Sequence, residues 1–334
     1  MKPLRELSII SIASIYLLAI SGCSAVTTSG TKTSPIVPSP ATYLYLAQNS
    51  PTPYSAPSQI LIYPTGISGN PAPTNVIVLP NSITAGHVAL DSSGNIYIVT
   101  PTDVREYAAT ATGAATPIRL IPTNSTTTLN VVSGLAVDSS GDIYVVNAGV
   151  GIDIFSSTSN GSVPPTRIIP LGGATTLTIP QHIAVDGSGN IYVSNLNSSA
   201  QFTIVVFGPT ANGNVAPDHI LNQFAGGLAT DGLNDLYVLG FNAGSEISVF
   251  APGASGNASP IRTLSLGQDA LTGFAVGPAG DLYVGTDGSL LNGAVSATPD
   301  FLEFPATASG TATFTSSFMP SAYVAAGESG MAAH

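Results

Sequence analysis

The chain has 334 residues, 44% of them hydrophobic and 7% charged, with 35 Gly, 26 Pro, one Cys and no Trp. Seven Lys and Arg against 18 Asp and Glu leave a formal net charge of -11, which excludes a surface built for phosphate backbones and so nucleic acid as main partner. A lone cysteine allows neither an internal disulfide nor a four-ligand structural zinc site, and so few charges argue against long exposed helices carrying ion pairs.

At the N-terminus, Lys2 and Arg5 precede an apolar run from Ile9 to Ile20, and Ser21, Gly22 and Cys23 follow it. This is the layout of an export signal, and its apolar stretch is short for a membrane-spanning helix. Ile20-Ser21-Gly22-Cys23 resembles a bacterial lipobox. The resemblance implies cleavage before Cys23, lipidation of its thiol and anchoring to a bacterial membrane, with inner and outer membranes left open. Two or more acyl chains hold a protein on a bilayer stably where one is marginal. Residues 24–40 are rich in Ser, Thr and Pro without periodicity, which predicts a tether. The expected organisation is therefore a signal peptide over 1–22, a lipidated tether over 23–40 and a folded domain over 41–330.

The folded part repeats itself with a period of roughly 45–50 residues. One marker reads strand, turn, strand: Leu90-Asp91-Ser92-Ser93-Gly94-Asn95-Ile96-Tyr97-Ile98, again from Val137 to Val145 and from Val185 to Val193, with looser copies near Asp231 and Gly277. Its tyrosines are Tyr97, Tyr144, Tyr192, Tyr237 and Tyr283, and Tyr45 supplies a truncated sixth copy. A second marker places glycine six residues after an aromatic, at Tyr63/Gly69, Tyr107/Gly113, Phe155/Gly161, Phe207/Gly213, Phe250/Gly256 and Phe304/Gly310. Proline follows four residues on in the first five units, and two residues later stand Asn75, Arg119, Arg167, His219, Arg262 and Ser316, expected on the outer rim.

Each unit reads as four short strands separated by Gly, Asn, Asp and Ser turns, and a unit of that size cannot bury both faces alone. Six such units predict an all-β fold, a six-bladed β-propeller of four-stranded antiparallel blades. Two residues before the turn position stand Ala89, Ala136, Ala184, Ala229 and Ala275, small side chains suited to the strand nearest the axis. The first unit lacks this inner strand, so a C-terminal strand near residues 321–326 is expected to complete it and clasp the ring. The form Gly134-Leu-Ala-Val-Asp-Ser-Ser-Gly-Asp-Ile-Tyr-Val-Val146 resembles the NHL repeat of bacterial propeller lipoproteins, over roughly residues 41–330. The resemblance implies the architecture; propellers of this kind host protein binding, ligand binding, lactone hydrolysis and lyase chemistry, and fold alone does not choose.

The Asp-x-x-Gly-Asn/Asp turns read as structural, their Asx side chains placed to cap tight turns. A functional site is sought where the repeat departs from itself. Four residues before the turn position the slot reads His87, Gly134, His182, Gly227 and Gly273, so two histidines stand two blades apart. This is similar to the peptidylglycine amidating lyases, which implies a channel metal held by histidines on alternate blades, yet the third alternate slot here is Gly273. Catalytic zinc normally takes three protein ligands. Lactonase-type propellers use inner-strand Glu, Asn and Asp, whereas Glu is scarce here: Glu106, Glu246, Glu303 and Glu328. The resulting expectation is a monomeric, lipid-anchored cell-envelope module, facing the periplasm or the cell surface, that binds proteins or glycans and needs no cofactor. Its contact face is expected around the irregular loops Gln48–Ser58 and Asp287–Asp300. The alternative is a metal-dependent hydrolase or lyase with a weakly held divalent metal at His87 and His182 in the channel.

Overall fold

The computed structural model describes residues 42–49, 57–80, 83–240, 245–266, 271–286, 301–319 and 331–334. Cys23, the tether, Asp287–Asp300 and residues 321–326 lie outside the described residues.

Six antiparallel sheets of four strands follow one another along the chain. The first holds β1 (Tyr43–Gln48), β2 (Gln59–Pro64) and β3 (Asn75–Val78); the second holds β4 (Val88–Leu90), β5 (Ile96–Val99), β6 (Asp103–Tyr107) and β7 (Arg119–Pro122). The third runs from β8 (Val131–Val137) through β9 (Ile143–Ala148) and β10 (Gly151–Phe155) to β11 (Arg167–Pro170). The fourth contains β12 (Ile179–Val185), β13 (Ile191–Leu196), β14 (Phe202–Phe207) and β15 (His219–Leu221). The fifth comprises β16 (Gly227–Thr230), β17 (Leu236–Gly240), β18 (Glu246–Phe250) and β19 (Arg262–Ser265), and the sixth β20 (Leu271–Val276), β21 (Leu282–Thr286), β22 (Phe301–Phe304) and β23 (Ser316–Phe318). The last strand, β24 (Met331–Ala333), returns to the inner side of β1. This is the expected six-bladed propeller closed by its C-terminal strand.

The middle strands show why the units need one another. Ile96–Val99 and Gly151–Phe155 are buried along their whole length, because each sheet is covered on both faces. The buried apolar residues fall into six clusters, each between two neighbouring blades; Ile154 of blade 3 packs with Val193 and Val205 of blade 4, for example. Burying one such side chain contributes about 1.5–3 kcal/mol, so the core belongs to the ring and not to any single repeat.

The closing strand differs in place from the expectation. Met331–Ala333, not the copy sought near 321–326, occupies the inner position, with Ala332 opposite Tyr45. The physical reason is the taper at the axis. The same register sets Ala89 opposite Tyr97, Ala136 opposite Tyr144, Ala184 opposite Tyr192, Ala229 opposite Tyr237 and Ala275 opposite Tyr283. The inner strand needs an alanine at that row, and Ala332 supplies it.

The two repeat markers serve different bonds. In the turn, the Asp91 carboxylate accepts from the backbone N–H of Ser93 and Asn95 at 2.9 Å and from the Tyr97 hydroxyl at 3.1 Å. Asp138, Asp186 and Asp231 repeat this with Tyr144, Tyr192 and Tyr237. The second marker joins blades. Gly113, Gly161, Gly213, Gly256 and Gly310 each donate an N–H to a carbonyl of the preceding outer strand at 2.7–2.8 Å, and Gly69 donates to Ser317 across the ring closure at 3.2 Å. All six glycines have φ between 59° and 81°, a region costly for side chains, while the space around them is open. Backbone conformation, not crowding, fixes glycine there.

The polar slot after the proline does not decorate the rim. Arg119 lies against the Tyr97 ring, bonds its hydroxyl at 2.9 Å, pairs with Glu106 and reaches the carbonyls of Ser156 and Ser157 in the next blade. Arg167 bonds Tyr144 and the carbonyls of Pro209 and Ala211, and Arg262 bonds Tyr237 and the Ala308 carbonyl. Asn75 bonds the Ala111 carbonyl across its own seam. Between blades 6 and 1, Glu303 accepts from Ser316 and from the backbone N–H of Gly66. These long side chains fold inward because loop carbonyls of the neighbouring blade present unpaired acceptors.

Candidate functional site

The topology gives the ring two chemically different ends. At one end lie the Asp turns and the Tyr-Arg seams. At the other lie the starts of the inner strands, the hairpins between second and third strands and the connections between blades. From Ile83 to Gly240 every residue of this second end is described. Its charged groups there are Asp103, Arg105 and Asp153, exposed to 5%, 7% and 0%, so the accessible surface of that arc carries no carboxylate, lysine or arginine.

Arg105 on β6 forms a bidentate pair with Asp103, Nε to Oδ1 at 2.7 Å and Nη2 to Oδ2 at 2.8 Å, and Thr100 donates to Oδ1 at 2.7 Å. Burial alone would raise the Asp103 carboxyl pKa, but the bonds from Arg105 and Thr100 outweigh it and hold the group below the usual carboxylate range. Asp153 on β10 occupies the row that Arg105 holds in blade 2. Its Oδ2 accepts from Asn147 at 2.7 Å and Thr128 at 2.8 Å, whereas Oδ1 is buried without a partner. Burial pushes this carboxyl up, against the opposing bonds. Asn147 also bonds the Thr128 carbonyl, holding Thr128 at φ 62°, a strained conformation for a β-branched residue. These charges are consumed in supporting the loops, and sequence reasoning had not singled them out.

His87 and His182 do converge. Their rings, from blades 2 and 4, lie with centroids 6.0 Å apart and planes 71° to one another. Blade 3 contributes only Gly134 between them, where a Cβ would stand 3.0 Å from the Gln181 carbonyl. His182 follows Pro180, which has no N–H; the register shifts there and the His182 N–H donates to the Ser194 hydroxyl at 2.9 Å. Among the described residues no group of three or more His, Cys, Asp or Glu could hold an ion, so a catalytic zinc with three protein ligands does not fit. Glu106 and Glu303 sit in the seams at the opposite end, whereas Glu246 starts β18 at the end of the histidines, outside the arc from Ile83 to Gly240, and accepts from Ser248 at 2.8 Å.

At the same end, Asn49, Gly86, Thr100, Pro101, Asn130 and Val131 line a cleft of about 400 Å³, without a charged side chain. Of the two loops expected to mark the contact face, Gln48, Asn49, Pro57 and Ser58 are described, and Asn49 clamps Ala85 through two bonds of 2.8 Å; 50–56 and 287–300 lie outside the described residues. Exposed apolar side chains occur at both ends: Val131 at 57%, Ile179 at 51% and Phe202 at 38% at this one, and Leu233, Ile261, Ile118 and Phe314 at the Asp-turn end. The Phe202 ring meets Phe224 edge to face at 4.5 Å.

Known proteins agree with the fold and add nothing on chemistry. A family model described as "Beta-propeller repeat" matches residues 171–194. No curated protein matches. Among solved structures, a protein of unknown function from Bacteroides caccae is similar with a TM-score of 0.51 at 10% identity, covering 84% of this chain and all (100%) of that one. The WD40 domain of coronin from Toxoplasma gondii is similar with a TM-score of 0.50 at 13% identity, covering 83% of this chain and 68% of that one.

Proposed function

We infer that the protein is an exported lipoprotein, anchored through Cys23, whose NHL-like propeller binds an envelope protein or glycan through the end where the inner strands start. Propellers commonly serve as binding or scaffolding modules, a rigid ring presenting variable loops. The observation that carries the reading is the division of labour between the two ends. Carboxylates and arginines at the Asp-turn end are spent on turns and seams, while at the other end the arc from Ile83 to Gly240 borders a 400 Å³ cleft and carries no accessible carboxylate, lysine or arginine. A 17-residue tether, residues 24–40, would hold this surface clear of the bilayer.

Fractionation of cells tests the anchor. The wild-type chain should sediment with membranes and the Cys23→Ser variant should not; equal distribution overturns lipidation as the attachment. The reading needs no cofactor. Elemental analysis of purified protein should find no stoichiometric metal, and near-stoichiometric metal lost in the His87→Ala/His182→Ala variant would instead establish the channel as a metal centre.

A further inference from the structure

The upper edge of blade 4 carries an ordered apolar row. Ile179 on β12 stands opposite Leu196 on β13, and Leu196 stands opposite Phe202 on β14, so the three side chains project from the same side of the sheet. With strands about 4.8 Å apart the row is roughly 10 Å long, and Phe224 extends it past the third strand through its ring contact with Phe202. The row is uncovered because the inner strand of the next blade, β16, has four residues where β12 has seven.

Its surroundings on blade 4 are polar and uncharged, and on the next blade Glu246, at the start of β18, accepts from Ser248 at 2.8 Å. The hairpin Asn197–Gln201 is fixed by its own bonds: Asn197 Oδ1 accepts the N–H of Ser199 and of Gln201 at 3.0 Å, and Ala200 turns the chain at φ 56°. Gln201 and Gln223 flank the two phenylalanines in sequence, and Gln201 is exposed. A rigid aromatic ledge beside amide groups matches one ligand chemistry closely. Sugar rings offer a C–H face that packs on an aromatic and a hydroxyl edge that bonds amides, and an uncharged arc on a chain of net charge -11 favours a neutral sugar over an anionic one.

We propose that the Ile179–Leu196–Phe202 ledge with Phe224 is a stacking platform for a neutral oligosaccharide. This deepens the reading of the end where the inner strands start as the contact surface and rests on it. The aromatic rings supply orientation, and the amides of Gln201 and Gln223 supply the choice of hydroxyl pattern.

Affinity electrophoresis of the purified full chain through gels containing dextran, mannan, laminarin or hydroxyethylcellulose, with alginate as the anionic control, tests the proposal. Retardation by at least one neutral polymer and not by alginate is the expected result, weakened at least tenfold in Phe202→Ala and in Gln201→Ala with the melting temperature of Gln201→Ala unchanged. Gln201→Ala keeps the test valid if Phe202→Ala fails to fold. No retardation by any neutral polymer, or retardation that neither variant weakens, overturns it. Binding to a phenyl matrix that depends on Phe202 without any polymer retardation overturns it in favour of an apolar protein partner, leaving the contact end itself in place; the crosslinking described at the close of the Discussion tests that end independently.

Discussion

Ala332, two residues from the C-terminal end of the described chain, stands opposite Tyr45 near its start, in the register that pairs Ala136 with Tyr144 inside blade 3. One sheet is therefore built from both ends of the domain. Tyr43 and His334 exchange two backbone bonds at 2.8 and 3.1 Å just beyond this pair, and Met331 is buried against Leu46. Deleting residues 331–334 opens the inner edge of β1 and should lower the melting temperature by roughly 5 °C or more, since 1 kcal/mol is worth ~2–4 °C in domains of this size class. An unchanged thermal melt would contradict closure by β24.

The seams differ in one position that can be repaired. Arg119, Arg167 and Arg262 tie three seams, but the seam after blade 4 has His219, whose Nε2 is buried without a partner. By repeat offset, Pro252 and Ala254 correspond to Pro209 and Ala211, whose carbonyls accept from Arg167. His219→Arg should therefore raise the melting temperature by a few degrees, while Arg167→Ala should cost about 1–3 kcal/mol through lost charge-assisted bonds. Denaturant unfolding of both variants beside wild type checks the opposite signs.

Glycine at the blade-joining turns is demanded by φ alone, so alanine there should strain without clashing. Gly256→Ala should cost about 1–2 kcal/mol, and Gly134→Ala should cost more, because its Cβ would stand 2.9 Å from Val146 and 3.0 Å from a carbonyl. Equal losses by chemical denaturation would refute the distinction.

The two buried carboxylates predict opposite pH effects. Asp103 has a folded pKa below its unfolded value, so its contribution is present above about pH 4 and is lost as pH falls through the folded value. Asp103→Asn leaves Arg105 unpaired and should cost about 3–5 kcal/mol at neutral pH. Asp153 is raised by burial, so the folded state binds its proton more tightly and stability falls as pH climbs from about 4 to the folded value. Asp153→Asn should abolish that fall. Urea midpoints from pH 3 to 8 separate the two, and identical profiles for Asp153→Asn and wild type would reject the second.

Fold and repeat number were legible because each blade spells out the same bonds: the Asp-to-Tyr turn and the aromatic-to-glycine spacing recur wherever the same geometry recurs. The place of the closing strand was less legible, because the inner strand is selected by a small residue opposite a tyrosine at the far end of the domain, which Met331-Ala332-Ala333 satisfies. The slot of Arg119 and Arg167 was read as rim because a charged residue on an outer strand usually faces water; what turns it inward is a row of carbonyls in the next blade, invisible to local sequence. The convergence of His87 and His182 followed from repeat register, but the ledge did not. Ile179, Leu196 and Phe202 are distant along the chain and become one surface only through cross-strand pairing.

On the proposed division of labour, one end of the ring holds it together and the other meets a partner. Photo-crosslinking in intact cells, with a benzophenone amino acid placed at Asn130 or Gln201 on the proposed contact end and at Ser140 or Leu233 on the Asp-turn end, tests it directly. Adducts from Asn130 and Gln201, with none from Ser140 or Leu233, are the predicted result. Adducts confined to Ser140 and Leu233, or none from any of the four positions, would contradict the assignment.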